Sequence, residues 1–92
     1  MIQITAIKQE GGRGHEHISA VQWRNTSNGS IGQSTRQAIV DWLSESRANQ
    51  AVVADGAKWV YVAVVQPANQ SAYIRTHADG KWSDNLLALP SF

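Results

Sequence analysis

Alternating apolar and polar residues open the chain and predict a strand over Ile2–Gln9, although Ile7 breaks the alternation. A glycine-rich turn over residues 10–14 separates it from a second strand pattern over His17–Arg24. Residues 25–33 are rich in Gly, Ser, Asn and Thr, which is typical of a loop. The first third of the chain therefore predicts a β-hairpin followed by a loop.

The apolar spacing becomes helical after Ser34. Ser34 and Gln37 have the spacing of a capping box, in which the serine caps the first turn and the glutamine bonds back to it. We expect the helix to end near residues 46–48. Its apolar stripe consists of Ala38, Ile39, Trp42 and Leu43.

Strand patterns return over Ala51–Ala54, Lys58–Gln66 and Ser71–His77, with Asp-Gly turn signals at residues 55–56 and 79–80. Lys58–Gln66 is apolar on both faces, which is typical of a central strand. The C-terminal segment is too apolar for a frayed end. We expect Asp84 to cap a short turn there whose leucines pack back on the sheet.

These elements predict one α+β domain over residues 1–92, with a mostly antiparallel sheet of about five strands and one amphipathic helix packed on one face. The chain has 92 residues, no cysteine and four tryptophans. The absence of cysteine excludes disulfides and thiolate zinc sites and suits the cytoplasm, where we expect the protein to act. The opening residues show no basic region followed by an apolar run, so no signal peptide is expected, and no apolar run reaches the length that a bilayer span needs.

The formal net charge is +1, and the basic residues are scattered along the chain. A long nucleic acid is therefore not the expected partner, because its recognition usually needs a strongly basic face. A small anionic ligand remains compatible with this charge.

The stretch GGRGHEHISAVQW contains the first candidate site. In an extended segment His15 and His17 point to the same side and could hold a metal with His77, but a His-x-His pair alone is a weak motif. No cofactor is therefore expected. Two other interpretations stay open: the imidazoles bond to backbone carbonyls, or they bind an anionic ligand beside Arg13.

The second candidate site lies near the C-terminus. For Trp23, Trp59 and Trp82, packing in the core is the first expectation. Trp82 follows a turn and is the best candidate to stack on a purine ring, whereas an exposed apolar patch around Trp23 or Trp59 would be the surface of a protein-binding module. Arg75 lies within a strand and has two open interpretations. On an exposed face it is only solvated, whereas on a face covered by the C-terminal tail it must pair, with Asp79 or Asp84 as the expected partners.

No nucleophile elbow, phosphate-binding loop or His-Glu-x-x-His motif is present, so a non-enzymatic protein is expected. A metal-dependent hydrolase that uses His15, His17 and Glu16 as its base is the enzymatic alternative.

Three segments, GRGHEHISAVQW, STRQAIVDWL and YIRTHADGKWSDNLLALPSF, resemble the short bacterial and phage proteins grouped as domain of unknown function 3892. The resemblance covers nearly the whole chain in the same order, and its closing segment is the most specific part. It implies a stand-alone small domain from a phage or mobile element, and it carries no catalytic residue with it.

Small phage proteins often disarm host defence by binding a protein or by sequestering a signal nucleotide. By that analogy we expect capture of a small anionic, nucleotide-like ligand by a homo-oligomer, at a site where the two candidate segments meet. A protein-binding inhibitor or interaction module is the alternative. The residues expected to bind the ligand are Arg13, His15, His17, Arg75, Asp79, Trp82, Asp84 and Asn85.

Overall fold

The computed structural model describes residues 1–78 and 80–92 and contains a seven-stranded sheet, one α-helix and two 3-10 turns. The strands are β1 (Ile2–Gln9), β2 (Ile18–Asn25), β3 (Ile31–Thr35), β4 (Ala51–Asp55), β5 (Lys58–Val65), β6 (Tyr73–Ala78) and β7 (Lys81–Ser83). The helix α1 spans Arg36–Glu45, and the 3-10 turns span His15–His17 and Asn85–Ala88.

The strand order across the sheet is β3-β2-β1-β4-β5-β6-β7. All neighbours are antiparallel except β1 and β4, which run parallel. The α+β class and the mostly antiparallel sheet are thus confirmed, and two strands are added to the predicted five. β3 was missed because its sequence, IGQST, is polar and lies at the sheet edge, and β7 has only three residues.

Ile7, which breaks the alternation of β1, lies beyond a register shift between Ile4 and Ala6. This irregularity places Ile7 on the same face as Ile2 and Ile4, opposite the buried Val21 of β2, where it joins the core. The β1–β4 pairing covers only two residues of β1, and further along the strand the C-terminal segment lies beside it. The Ile7 N–H donates to the Pro90 carbonyl (2.9 Å) and the Phe92 N–H donates to the Ile7 carbonyl (3.1 Å). The chain end therefore packs back on the sheet.

The helix begins one residue later than the capping-box prediction. Thr35, and not Ser34, is the N-cap residue, and its hydroxyl accepts a hydrogen bond from the Ala38 N–H (3.2 Å). Ser34 is still part of β3, where its hydroxyl accepts a hydrogen bond from the Trp23 indole N–H (2.9 Å). Because the Ser34 hydroxyl is already bonded to Trp23 of the neighbouring strand, the Thr35 hydroxyl caps the helix instead.

Helix α1 contacts β2, β3, β5 and β6 across one face of the sheet. Its buried residues Ile39 and Val40 join the core, and Trp42 and Leu43 pack against it. No helix among residues 1–78 and 80–92 has both the length and the apolarity needed to cross a membrane. The remaining core residues come from the strands and the C-terminal turn, and are Ile2, Ile4, Ile7, Ile18, Val21, Ala51, Val53, Val62, Ile74 and Leu86.

Candidate functional site

The His-Glu-His stretch is a 3-10 turn, not the start of a strand as predicted, and β2 begins only at Ile18. Because a 3-10 turn has three residues per turn, His15 and His17 point to different sides. His15 is buried, with 8% of its surface exposed, whereas His17 is half-buried. The assumption that both imidazoles share one side is therefore wrong.

His17 belongs to the hairpin loop. Its Nδ1 lies 3.2 Å from the Glu10 carbonyl, and its Nε2 lies 3.6 Å from a carboxylate oxygen of Glu16. Its ring also lies over Gly12, where an added Cβ would come within 2.5 Å of the ring carbon Cδ2. These contacts fit the interpretation in which a histidine orients the loop by bonding to a backbone carbonyl.

His15 points the other way, and its turn contacts β6. Its Nε2 is buried without a hydrogen-bond partner among the described residues and lies 3.8 Å from the Asp84 carboxylate. The same carboxylate oxygen accepts a hydrogen bond from the Arg75 guanidinium (2.9 Å). The two candidate segments therefore meet through three residues, which we call the His15 cluster: His15, Arg75 and Asp84.

The pKa of His15 lies below the ordinary imidazole value, mainly because burial disfavours the charged ring and secondly because the Arg75 cation is near. The carboxylates of Asp84 and Glu16 act in the opposite direction without reversing the shift. His15 is therefore a neutral imidazole at neutral pH, able to donate one hydrogen bond and to accept one.

Of the two interpretations of Arg75, the structure supports pairing, and its partner is Asp84. Asp79 lies outside the described residues. The Arg75 Nε donates to the Ser83 carbonyl (3.2 Å), which holds the guanidinium beside the last residue of β7. Asn85 is fixed next to it, because its side-chain oxygen accepts a hydrogen bond from the Ser83 hydroxyl (2.6 Å).

Asp84 does not cap the C-terminal turn with its side chain, contrary to the prediction. The carboxylate is drawn instead to the Arg75 guanidinium, a stronger charge-assisted partner than a backbone N–H. Leu86 of this turn is fully buried, and Leu87 and Leu89 pack against the core as expected.

Trp82 lies on β7 and belongs to a row of aromatic side chains across three strands. Tyr61 of β5 pairs with His77 of β6, and His77 pairs with Trp82, so the three side chains share one face of the sheet. The His77 and Trp82 rings meet edge to face with centroids 4.8 Å apart. Trp59, two residues before Tyr61, lies on the same face.

We call Trp59, Tyr61, His77 and Trp82 the aromatic face. The exposed fractions of Trp59, Tyr61 and Trp82 are 48%, 51% and 44%. The expectation that Trp59 belongs to the core is wrong, and Tyr61 was missed as a site residue. Trp59 and Tyr61 are two residues apart in β5, so the sequence does place them on one face of the strand. A strand that is apolar on both faces predicts burial of both faces, and this pattern does not reveal that one of them is exposed.

Arg75 joins the two parts of the candidate site, because it lies two residues before His77 and so on the same face of β6. Arg13 lies exposed in the β1–β2 loop, where its carbonyl accepts a hydrogen bond from the Gln9 side chain (2.7 Å). The structure thus brings together His15, Arg75, Asp84 and Asn85, and it aligns Trp82 with Tyr61 and His77. It places Arg13 and His17 in the loop.

The weak metal candidates His15, His17 and His77 are separated: one is buried in the cluster, one contacts the loop and one packs against Trp82. Over residues 1–78 and 80–92, no three His, Asp or Glu side chains come together in a way that could hold a metal ion.

Two grooves lie at the other end of the sheet and were not predicted from the sequence. One, of about 430 Å³, runs along β2 and β3 and is lined by Gln22, Arg24, Ile31 and Gln33 among others. The second, of about 360 Å³, lies between α1 and the sheet and is lined by Trp23, Ser34, Ala38 and Trp42 among others.

Residues 3–90 match the family described as Protein of unknown function (DUF3892), and the chain therefore belongs to this family. The match spans almost all of the 92 residues, in agreement with the resemblance seen in the sequence. No match was found among curated proteins or among solved structures.

Proposed function

We propose that this protein is a non-enzymatic binding protein that captures a small anionic, nucleotide-like ligand on its aromatic face. The observation that carries the proposal is the aligned row Tyr61–His77–Trp82, with Arg75 beside it on the same face. No nucleophile motif accompanies these residues in the sequence.

The aromatic face suits a flat heterocycle. A purine can stack on the exposed Trp82 ring, and because adjacent strands lie roughly 4.8 Å apart, His77, which meets Trp82 edge to face, can border the same ligand. Base–aromatic stacking contributes about 1–3 kcal/mol per base and tolerates different bases. Exposed rings held on strands need little reorganisation to accept such a ligand, because the sheet fixes their backbone.

The His15 cluster suits a phosphate. Arg75 uses its Nε for the Ser83 carbonyl and one terminal nitrogen for Asp84. A guanidinium has five N–H donors, so donors remain for a phosphate oxygen. A net charge of +1 fits one small anion better than a nucleic-acid polymer.

We further propose that the protein acts in the cytoplasm as a ligand-sequestering, anti-defence protein of phage or mobile-element origin. The support is analogy: a small domain with a stacking face and no catalytic motif is suited to hold a signal nucleotide rather than to transform it.

Calorimetry against a panel of linear and cyclic nucleotides tests the binding proposal. We expect at least one member to bind, Trp82→Ala and Arg75→Gln each to weaken its binding about tenfold or more, and Trp82→Phe to retain most of it. Ile31→Ala, an exposed apolar residue at the opposite end of the sheet, is the control and should bind as the native chain does. Folded protein that binds no member of the panel contradicts the proposal.

The exposed aromatic face also favours a second function, as a protein-binding module. Tyr and Trp are enriched at the centres of protein interfaces, and a contiguous exposed patch of them is a typical docking surface. A stoichiometric protein partner that is lost with Trp82→Ala, from a chain that binds no nucleotide, would favour this function over the first.

A further inference from the structure

β3 is an open edge of the sheet, because its only strand neighbour in the sheet order is β2. The backbone hydrogen bond from the Asn25 N–H to the Ser30 carbonyl (2.7 Å) fixes the phase of the β2–β3 ladder. From that pair the bonded positions of β3 alternate, so Gly32 and Ser34 bond to β2. The N–H and C=O groups of Ile31 and Gln33, and the N–H of Thr35, point away from the sheet.

Edge strands are normally protected by charges, proline, bulges or short length. The five residues of β3, IGQST, contain neither a charged residue nor proline. The opposite edge, β7, has only three residues and carries Lys81. Protection is therefore present at one edge of the sheet and lacking at the other.

Ile31 makes the unprotected edge apolar as well as open. It is 81% exposed, the highest value among the exposed large apolar side chains. The groove that runs along β2 and β3 adjoins it. An added strand would bond to the open backbone groups and cover this side chain.

We propose that the occupant of this edge is a second copy of the chain, paired antiparallel through β3 about a two-fold axis at Gln33. In this register the N–H and C=O groups of Gln33 bond to those of Gln33 of the second copy, and the Thr35 N–H donates to the Ile31 carbonyl of the second copy. The register places Gln33 opposite Gln33 of the second copy, and Ile31 opposite Thr35 of the second copy.

Charge favours a second copy. The paired segment is uncharged, so the two-fold axis brings no like charges into direct opposition. Two facing glutamine side chains can each donate to and accept from the other. The net charge of +1 per chain adds little long-range repulsion between copies. The resulting sheet is continuous and has the aromatic faces at its two far ends.

Cysteine trapping tests this register, because the chain has no cysteine of its own. Directly opposed residues in antiparallel strands lie within the Cα separation that a disulfide allows. We expect Gln33→Cys alone to form a disulfide-linked dimer rapidly. Ile31→Cys and Thr35→Cys should crosslink when mixed and only slowly when separate.

Lys8→Cys, an exposed position on the interior strand β1, is the matched control for random collision. Crosslinking of Gln33→Cys no faster than that of Lys8→Cys overturns the proposal. The proposal is also overturned if Ile31→Cys forms a disulfide as fast alone as it does when mixed with Thr35→Cys.

Sedimentation of the native chain over a range of concentrations gives the second test. We expect a reversible dimer in the native chain and in Gln33→Thr. Gln33→Lys and Gln33→Glu should each be monomeric, because like charges face one another, and their mixture should dimerise again. A native chain that stays monomeric throughout overturns the proposal. Nucleotide titration is a separate readout, so failure of the dimer and failure of the proposed function are distinguishable.

Discussion

At the scale of single residues, His15 shows how the surroundings of a side chain set its chemistry. His15 and His17 are separated by one residue, yet His15 is buried, which lowers its pKa, whereas His17 is half-buried. Its Nε2 faces the Asp84 carboxylate at 3.8 Å, too far for a hydrogen bond. Because its imidazole is neutral, His15 is suited to orient a ligand through a hydrogen bond and poorly suited to neutralise the charge of an anionic ligand.

The lowered pKa predicts how stability depends on pH. Above the ordinary imidazole value of about 6.5, His15 is neutral in both the folded and the unfolded chain. As the pH falls below that value, the unfolded chain binds a proton that the folded chain resists, so the free energy of unfolding decreases until the folded pKa is reached. His15→Gln should reduce this decrease, measured by urea unfolding between about pH 5 and 8.

His17→Gln makes the same substitution at the neighbouring histidine and is the matched control, and His15→Gln should reduce the decrease more than this control does. The groups that face His15 are Arg75, Asp84 and Glu16. The same pH slope in the native chain and in His15→Gln would falsify the role assigned to burial.

At the scale of elements, boundaries follow from hydrogen bonds that reach between strands. The junction of β3 and α1 is the clearest case: Ser34 and Thr35 are both good capping residues, and the sequence favours Ser34 because of Gln37. In the structure the Ser34 hydroxyl accepts a hydrogen bond from the Trp23 indole N–H, and the Gln37 side chain donates to Asp41 one turn along the helix (2.8 Å). A hydrogen bond from the neighbouring strand β2 therefore determines which residue caps the helix.

Removing the actual cap gives a test at this scale. Thr35→Ala leaves the Ala38 N–H without its partner and should lower the free energy of unfolding by about 1 kcal/mol. Thr35→Ser keeps the hydroxyl and should stay close to the native value. Chemical denaturation measures both, and equal stability of the two variants would contradict the capping assignment.

At the scale of the whole molecule, the C-terminal segment closes the structure. It lies beside β1 where β4 has diverged, and it contributes Leu86 to the common core. The same segment supplies Asp84 to the His15 cluster. Packing of the chain end and assembly of the candidate site are therefore coupled.

Leu86→Ala tests this coupling. Leu86 is fully buried, so the variant should lose about 2–5 kcal/mol of the free energy of unfolding. Leu86→Met nearly conserves volume and should lose less than about 1.5 kcal/mol. Urea unfolding compares the two, and a loss from Leu86→Ala no larger than that from Leu86→Met would show that the segment is not part of the core.

The sequence by itself determined the fold class, the span of β1, the approximate positions of α1, β4, β5 and β6, and the inward packing of the C-terminal leucines. These features rest on local periodicity and turn chemistry, which are encoded in neighbouring residues. It named Asp84 as one of two possible partners of Arg75, and the family resemblance suggested that the two unusual segments meet.

Only the tertiary structure decided the rest. The polar edge strand β3 exists because β2 supplies its hydrogen bonds, and no pattern within IGQST signals it. The separation of His15 from His17 follows from a 3-10 turn held between the hairpin and β6. The aromatic face depends on register, which aligns residues from three strands and is fixed by contacts between segments far apart in the chain.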